Sequence, residues 1–161
     1  MNTPERLQAL LHDLGQQMGL SELRMDEHGG CGLELDQRMI VSLQYRETEN
    51  ELWLYADLGP LARRSPASYE KLLQANLFWQ QTSGATLSLS GDEPPHAVLA
   101  NALHWMPMDE TRLGAAVETF VHTVENWQVQ LQQTDSETEV NTGAAPSVPM
   151  ADAMMMLRMR A

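Results

Sequence analysis

The sequence predicts an α+β fold, with three helices on one antiparallel, twisted sheet in the order α-β-β-β-α-β-β-α and room for one extra strand in the first group. Three observations carry that expectation. Apolar residues recur at helical spacing in three separate stretches of residues 1–132. Between those stretches they alternate with polar residues. Short turn-forming runs separate the alternating segments, which favours hairpins over crossovers.

Thr3, Pro4 and Glu5 read as an N-cap, a first-turn proline and an acid near the positive end of a helix dipole. Leu7, Leu10, Leu11, Leu14 and Met18 then follow at helical spacing, and Gly19 supplies a stop, so the first helix is expected over about 3–18. From Leu20 to Gly59 the period becomes two. Leu33 and Leu35 alternate with Glu34 and Asp36; Met39, Val41, Leu43 and Tyr45 alternate with Ser42 and Gln44. Glycine-rich or polar runs at 28–32, in the latter half of 34–38, and at 46–50 supply the turns of a meander. In 52–58, Trp53 and Tyr55 make the second face apolar too, so this strand is expected to be covered on both sides.

Ser65-Pro66 repeats the cap-then-proline signal. Tyr69, Leu72, Leu73, Asn76, Leu77 and Gln80 share one face of a second helix expected to end near Thr82, with Phe78 and Trp79 beside that face. Leu87 and Leu89 alternate with Thr86, Ser88 and Ser90, GDEPP turns the chain, and an apolar strand runs from Ala97 to Met106. Asp109 is placed to cap a third helix. Its stripe is Leu113, Ala116, Val117, Phe120, Val121, Val124, Trp127 and Leu131. Beyond Gln132 the composition turns to Thr, Ser, Glu, Gly, Ala and Pro. The expected division is therefore a folded domain at 1–132 and a flexible tail at 133–161 with a methionine-rich end.

Composition narrows the function classes. With 22 acidic against 10 basic residues and a formal net charge of −12, no basic face is available to meet a phosphate backbone, so no nucleic-acid partner is expected. The single cysteine, Cys31, excludes an internal disulfide and suits a reducing compartment. The first residues form no signal peptide, and no apolar run reaches membrane-spanning length. Cytoplasmic residence without membrane insertion is expected.

No catalytic constellation is visible. His12, His28, His96, His104 and His122 stand in no recognised nucleophile or metal spacing. The nearest, His28-x-x-Cys31, supplies two ligands where a structural zinc site needs four, and the surrounding glycines suit a turn. Asp26-Glu27 and Asp92-Glu93 fall in expected turns, and there is no phosphate-cradling glycine loop. The expectation is a binding protein without enzyme activity, cofactor or metal.

The run LLQANLFWQQTSGATLSLS (72–90), the strand leading to Trp105-Met106-Pro107, and the helix from Leu113 through Phe120-Val121 to Glu125-Asn126-Trp127 together resemble the CesT-type (Tir chaperone) family of class I type III secretion chaperones. Leu10, Leu14, Gly15 and Gly19 extend the resemblance through the first helix, so that it covers roughly 3–131. It implies a homodimer, with Tyr69, Leu72, Leu73, Asn76, Leu77 and Trp79 at the symmetric interface. It also implies that secreted effector proteins bind through an N-terminal region held in extended form, soluble and export-competent, with the secretion ATPase a further partner.

An unfolded ligand needs partners for its apolar side chains and its backbone, which a groove beside a sheet edge supplies. The candidates for that role are Leu7, Leu11 and Leu14 on the first helix and Leu33, Leu35, Val41 and Leu43 on strands. Ordering such a ligand costs roughly 2–5 kcal/mol, while wrapping buries on the order of 1,000–3,000 Å². An exposed charge pair adds only about 0–1 kcal/mol, so affinity should respond weakly to salt. The end segment MADAMMMLRMRA (150–161) suits a docking element, since methionine adapts to varied apolar partners. A second reading uses the same surface to sequester a transcriptional regulator or anti-activator of the secretion system.

Overall fold

A computed structural model of the chain describes residues 3–20, 23–35, 39–61 and 66–142, with side chains through residue 133. Helix α1 is Glu5–Gln17; strands β1 (Gly30–Leu35), β2 (Met39–Arg46) and β3 (Glu51–Pro60) follow. Helix α2 is Pro66–Ala75 and leads into a short 3-10 turn, Leu77–Trp79. Strands β4 (Thr86–Leu89) and β5 (His96–Leu103) precede helix α3, Glu110–Thr142. The expected order of three helices and five strands is present, with three strands in the first group.

The five strands form one antiparallel sheet in the order β1-β2-β3-β5-β4, so β1 and β4 are its edges. Hairpins join β1 to β2, β2 to β3 and β4 to β5. The last of these turns is the GDEPP run. The register Leu33↔Val41, Leu43↔Leu54 and Ala56↔Leu99 stacks apolar side chains on one face. The helices cover that face. Leu7, Leu11 and Leu14 of α1 and Leu113, Val117, Phe120, Val124, Trp127 and Leu131 of α3 are buried in one core with it. Trp127 is fully enclosed and its indole N–H donates to the Gln81 carbonyl (3.0 Å).

Asp109 caps α3, its Oδ1 accepting from the Arg112 N–H at 2.9 Å. Several expectations need correction. Pro4, not Thr3, is the N-cap of α1, and no side chain caps that end. The second face of β3 is uncovered: Tyr55 is exposed and Trp53 only half-buried, opposite Ala100 and Ala102. The indole of Trp53 donates to Glu51 (3.1 Å) and Arg46 lies against its ring, which lets these aromatics sit at a wet surface. Helix α2 stops at Ala75 instead of running to Thr82. Helix α3 continues to Thr142, ten residues past the boundary expected from composition. Ser65, the turn at 36–38 and the segment 143–161 lie outside the described residues.

Candidate functional site

Two features meet at one end of the sheet. The first is an apolar groove of about 510 Å³, with Leu14 and Gln17 of α1 and Met18 just after it on one wall and Thr111, Gly114, Ala115, Glu118 and Val121 of α3 on the other. Leu35, at the end of β1, closes it. The buried stripe of α3 turns its flank, Gly114 and Val121 included, toward α1. A Cβ at Gly114 would sit 3.6 Å from Leu14 Cδ1, an ordinary contact, so packing does not demand glycine there; its missing side chain leaves room in the groove. Gly15 differs. A Cβ there would come within 2.9 Å of Leu23 Cβ, so glycine is what lets the chain after α1 lie against the helix on its way to β1.

The second feature is the outer edge of β1. The Tyr45 N–H donates to the Gly29 carbonyl (2.8 Å), which sets the phase of the ladder. Cys31, Leu33 and Leu35 therefore bond across to β2, while the backbone groups of Gly30, Gly32 and Glu34 face outward. Those of Gly30 are taken. Its N–H donates to Asp26 Oδ1 (2.9 Å) and its carbonyl accepts from the Asp26 N–H (2.8 Å). The His28 N–H also donates to Asp26 Oδ1, at 2.8 Å. These backbone donors, Gly30 first, hold the Asp26 carboxyl below its ordinary pKa. The edge at Gly32 and Glu34 remains available to an added strand. Cys31 lies on the inner side, where burial first and the Asp26 charge second push its thiol up to about 11.

The structure places most of the sequence-derived binding candidates beneath this surface. Leu7, Leu11, Leu14, Leu33, Val41 and Leu43 are each 0–1 % exposed and belong to the core; Leu35 is partly buried. Leu14 and Leu35 line the groove, while the other five lie in the shared core. Gln17, Met18, Thr111, Gly114, Ala115, Glu118 and Val121 were missed, because a lining drawn from separate elements has no periodic signature. The only hint was Gly114 inside a helical pattern.

A second surface surrounds the break after α2. Leu73, Leu77, Phe78 and Trp79 are 72, 66, 76 and 51 % exposed, four large apolar side chains within seven residues of chain on a water-facing surface. Phe78 and Trp79 have φ of 55° and 53°, a left-handed conformation that bulky residues rarely adopt. The break is held in place. Asn76 Nδ2 donates to the Leu87 carbonyl (3.0 Å) and its Oδ1 accepts from the Leu87 N–H (2.9 Å), so the amide pairs with edge strand β4 as another strand would. The Trp79 indole donates to Thr86 Oγ1 (3.2 Å). Of the expected interface residues, Leu73, Leu77 and Trp79 are exposed, Tyr69 is half-buried, Leu72 is in the core and Asn76 is spent on β4.

Among the described residues no group of three or more His, Cys, Asp or Glu side chains could hold a metal ion. His28 is exposed, 3.5 Å from Glu27. No described helix is long and apolar enough to cross a membrane.

The fold is that of the type III secretion chaperones. The chain belongs to the Tir chaperone protein (CesT) family, whose profile matches residues 9–128. No curated protein sequence matches it. Among solved structures it is similar to a chain of the ExsC–ExsE complex (TM-score 0.71, 20 % identity, 81 % of this chain and 97 % of that one). It is also similar to a chain of the HopA1–SchA chaperone–effector complex (0.64, 18 %, 76 % and 92 %). A third is in the structure of the Yersinia pestis type III secretion chaperone SycH with a stable fragment of YscM2 (0.59, 24 %, 74 % and 97 %).

Proposed function

We propose that this protein is a homodimeric cytoplasmic chaperone that binds the N-terminal region of a secreted effector in extended form, at the groove between α1 and α3 and along the outer edge of β1. The observation that carries the reading is the adjacency of the two features. Leu35 belongs to both, so a segment paired with β1 can pass its side chains into the apolar groove where the strand ends. A sheet edge gives backbone hydrogen bonds to any sequence, and a groove selects apolar side chains at a few positions. That is the chemistry an unfolded export substrate needs.

Within this reading Leu14 and Leu35 touch the ligand, while Leu7, Leu11, Leu33, Val41 and Leu43 belong to the core beneath the site. Dimerisation uses the surface around Leu73, Leu77, Phe78 and Trp79, flanked by Tyr69. Covering that patch removes the exposed apolar area from water in both copies. The structural relatives solved in complex with other proteins support a protein ligand over a small molecule. A regulator sequestered by the same groove is the other reading, separated by the identity of the copurifying partner.

The test is to identify the protein that copurifies with the full chain and titrate its N-terminal segment by calorimetry. Gly114→Leu, which fills the groove from a position where an added Cβ meets only ordinary contacts, should weaken binding at least about tenfold, since one lost apolar anchor is worth more than about 1.4 kcal/mol. Raising salt moderately should change the wild-type affinity little. Unaltered binding by Gly114→Leu, with retained fold, would remove the groove from the mechanism.

A further inference from the structure

From the groove's chemistry and its distance from the end of α3, we infer that the groove has an occupant within the same chain: residues 154–159, MMMLRM, dock there in cis and are displaced by the export substrate. The inference rests on the reading of the groove as the substrate site and adds its regulation. Methionine is suited to the cavity, because its flexible, polarizable side chain fills irregular apolar spaces that a rigid residue would leave partly empty. Four methionines and a leucine fall within six residues of this segment. A bare groove of this kind would otherwise expose apolar surface whenever no substrate is bound.

Charge supports the same placement. After Arg112 the next basic residues are Arg158 and Arg160, in a chain of net charge −12. The groove rim on α3 carries Glu118, and Glu125 and Val129 continue its exposed face at helical spacing toward the C-terminal end, with His122 between the two glutamates. Arg158, inside the docked segment, thus comes to a groove whose rim carries the Glu118 carboxylate.

Reach is sufficient. The rise from Val121 to Thr142 along α3 is about 32 Å at 1.5 Å per residue. Residues 143–153, extended, span roughly 36 Å at about 3.3 Å each, which brings Met154 back level with Val121. A tether of that length gives a weak intramolecular contact a high effective concentration, while leaving it open to displacement by a longer ligand that also pairs with β1.

The test uses the full chain with Cys31→Ser and two introduced cysteines, Glu118→Cys with Met156→Cys, against a control pairing Ile40→Cys with Met156→Cys. Ile40 is exposed on the sheet face turned away from the helices. Under mild oxidation, with circular dichroism unchanged in both, an intrachain disulfide should form about tenfold faster at Glu118→Cys than at the control. Equal rates would overturn the inference, and so would a disulfide formed between two chains. This readout needs no substrate. A failed cross-link with Gly114→Leu still weakening substrate binding defeats only the cis occupant. A successful one with Gly114→Leu harmless to binding upholds the docking and defeats the substrate assignment of the groove.

Discussion

Asp26 is fully exposed, yet it shapes the start of β1 by accepting two backbone N–H groups. Its carboxyl is more acidic in the folded chain than in the unfolded one, so its stabilising effect is complete above the ordinary value of 3.8 and is lost as pH falls through the lowered value. Asp26→Ala should lower the urea midpoint at pH 7 and differ less from wild type at pH 3, as fluorescence-monitored unfolding would show. Beside it, the Cys31 thiol at about 11 against an ordinary 9.0 should be alkylated by iodoacetamide at pH 8 about a hundredfold more slowly in the native protein than in urea. Leu11 is fully buried, so Leu11→Ala should cost about 2–5 kcal/mol of stability in the same urea assay. These residues also show what the sequence could reveal. The spacing of Leu7, Leu11 and Leu14 marked the apolar side of α1 correctly, but burial and ligand contact leave the same pattern of leucines. Which of them reach a surface depends on how closely α3 approaches, and only Leu14 lines the groove.

At the level of elements, strand alternation and turn residues were enough to define the meander and the β4–β5 hairpin, because a period of two ties burial directly to sequence. Helix ends were less legible. Leu73 and Leu77 keep helical spacing across the end of α2, so periodicity ran straight through the break; the Asn76 amide instead joins β4, and Phe78 and Trp79 take left-handed backbone. At α3 the reverse happened: Thr, Ser and Glu after Gln132 read as a tail, while the helix continues to Thr142. Asn76 is the residue on which the α2–β4 junction depends. Asn76→Ala leaves the Leu87 N–H and carbonyl without their partner and should cost about 1–3 kcal/mol in urea unfolding. Gly114→Ala should do the opposite, since its Cβ meets only ordinary contacts, and should raise stability by up to about 1 kcal/mol through helix propensity.

For the whole molecule, one half-covered sheet leaves two distinct surfaces: an edge with a groove at β1 and an apolar patch after α2, at opposite ends of the strand order. That separation allows a dimer to form at one end while each copy keeps its binding edge free. Light scattering at micromolar concentration should give twice the chain mass for wild type and a single chain mass for Leu77→Glu, since a charge in the patch cannot be buried unpaired. The family was legible in the sequence through local runs such as 72–90, whereas the groove was not, because it is assembled from α1, β1 and α3 only when they pack. The most direct test of the account is amide hydrogen exchange on the full chain with and without its copurified partner segment. Added protection at Gly32 and Glu34, together with protection around the groove, is the predicted result. Protection confined to the open sheet face around Trp53 and Tyr55, with the β1 edge unchanged, would contradict it.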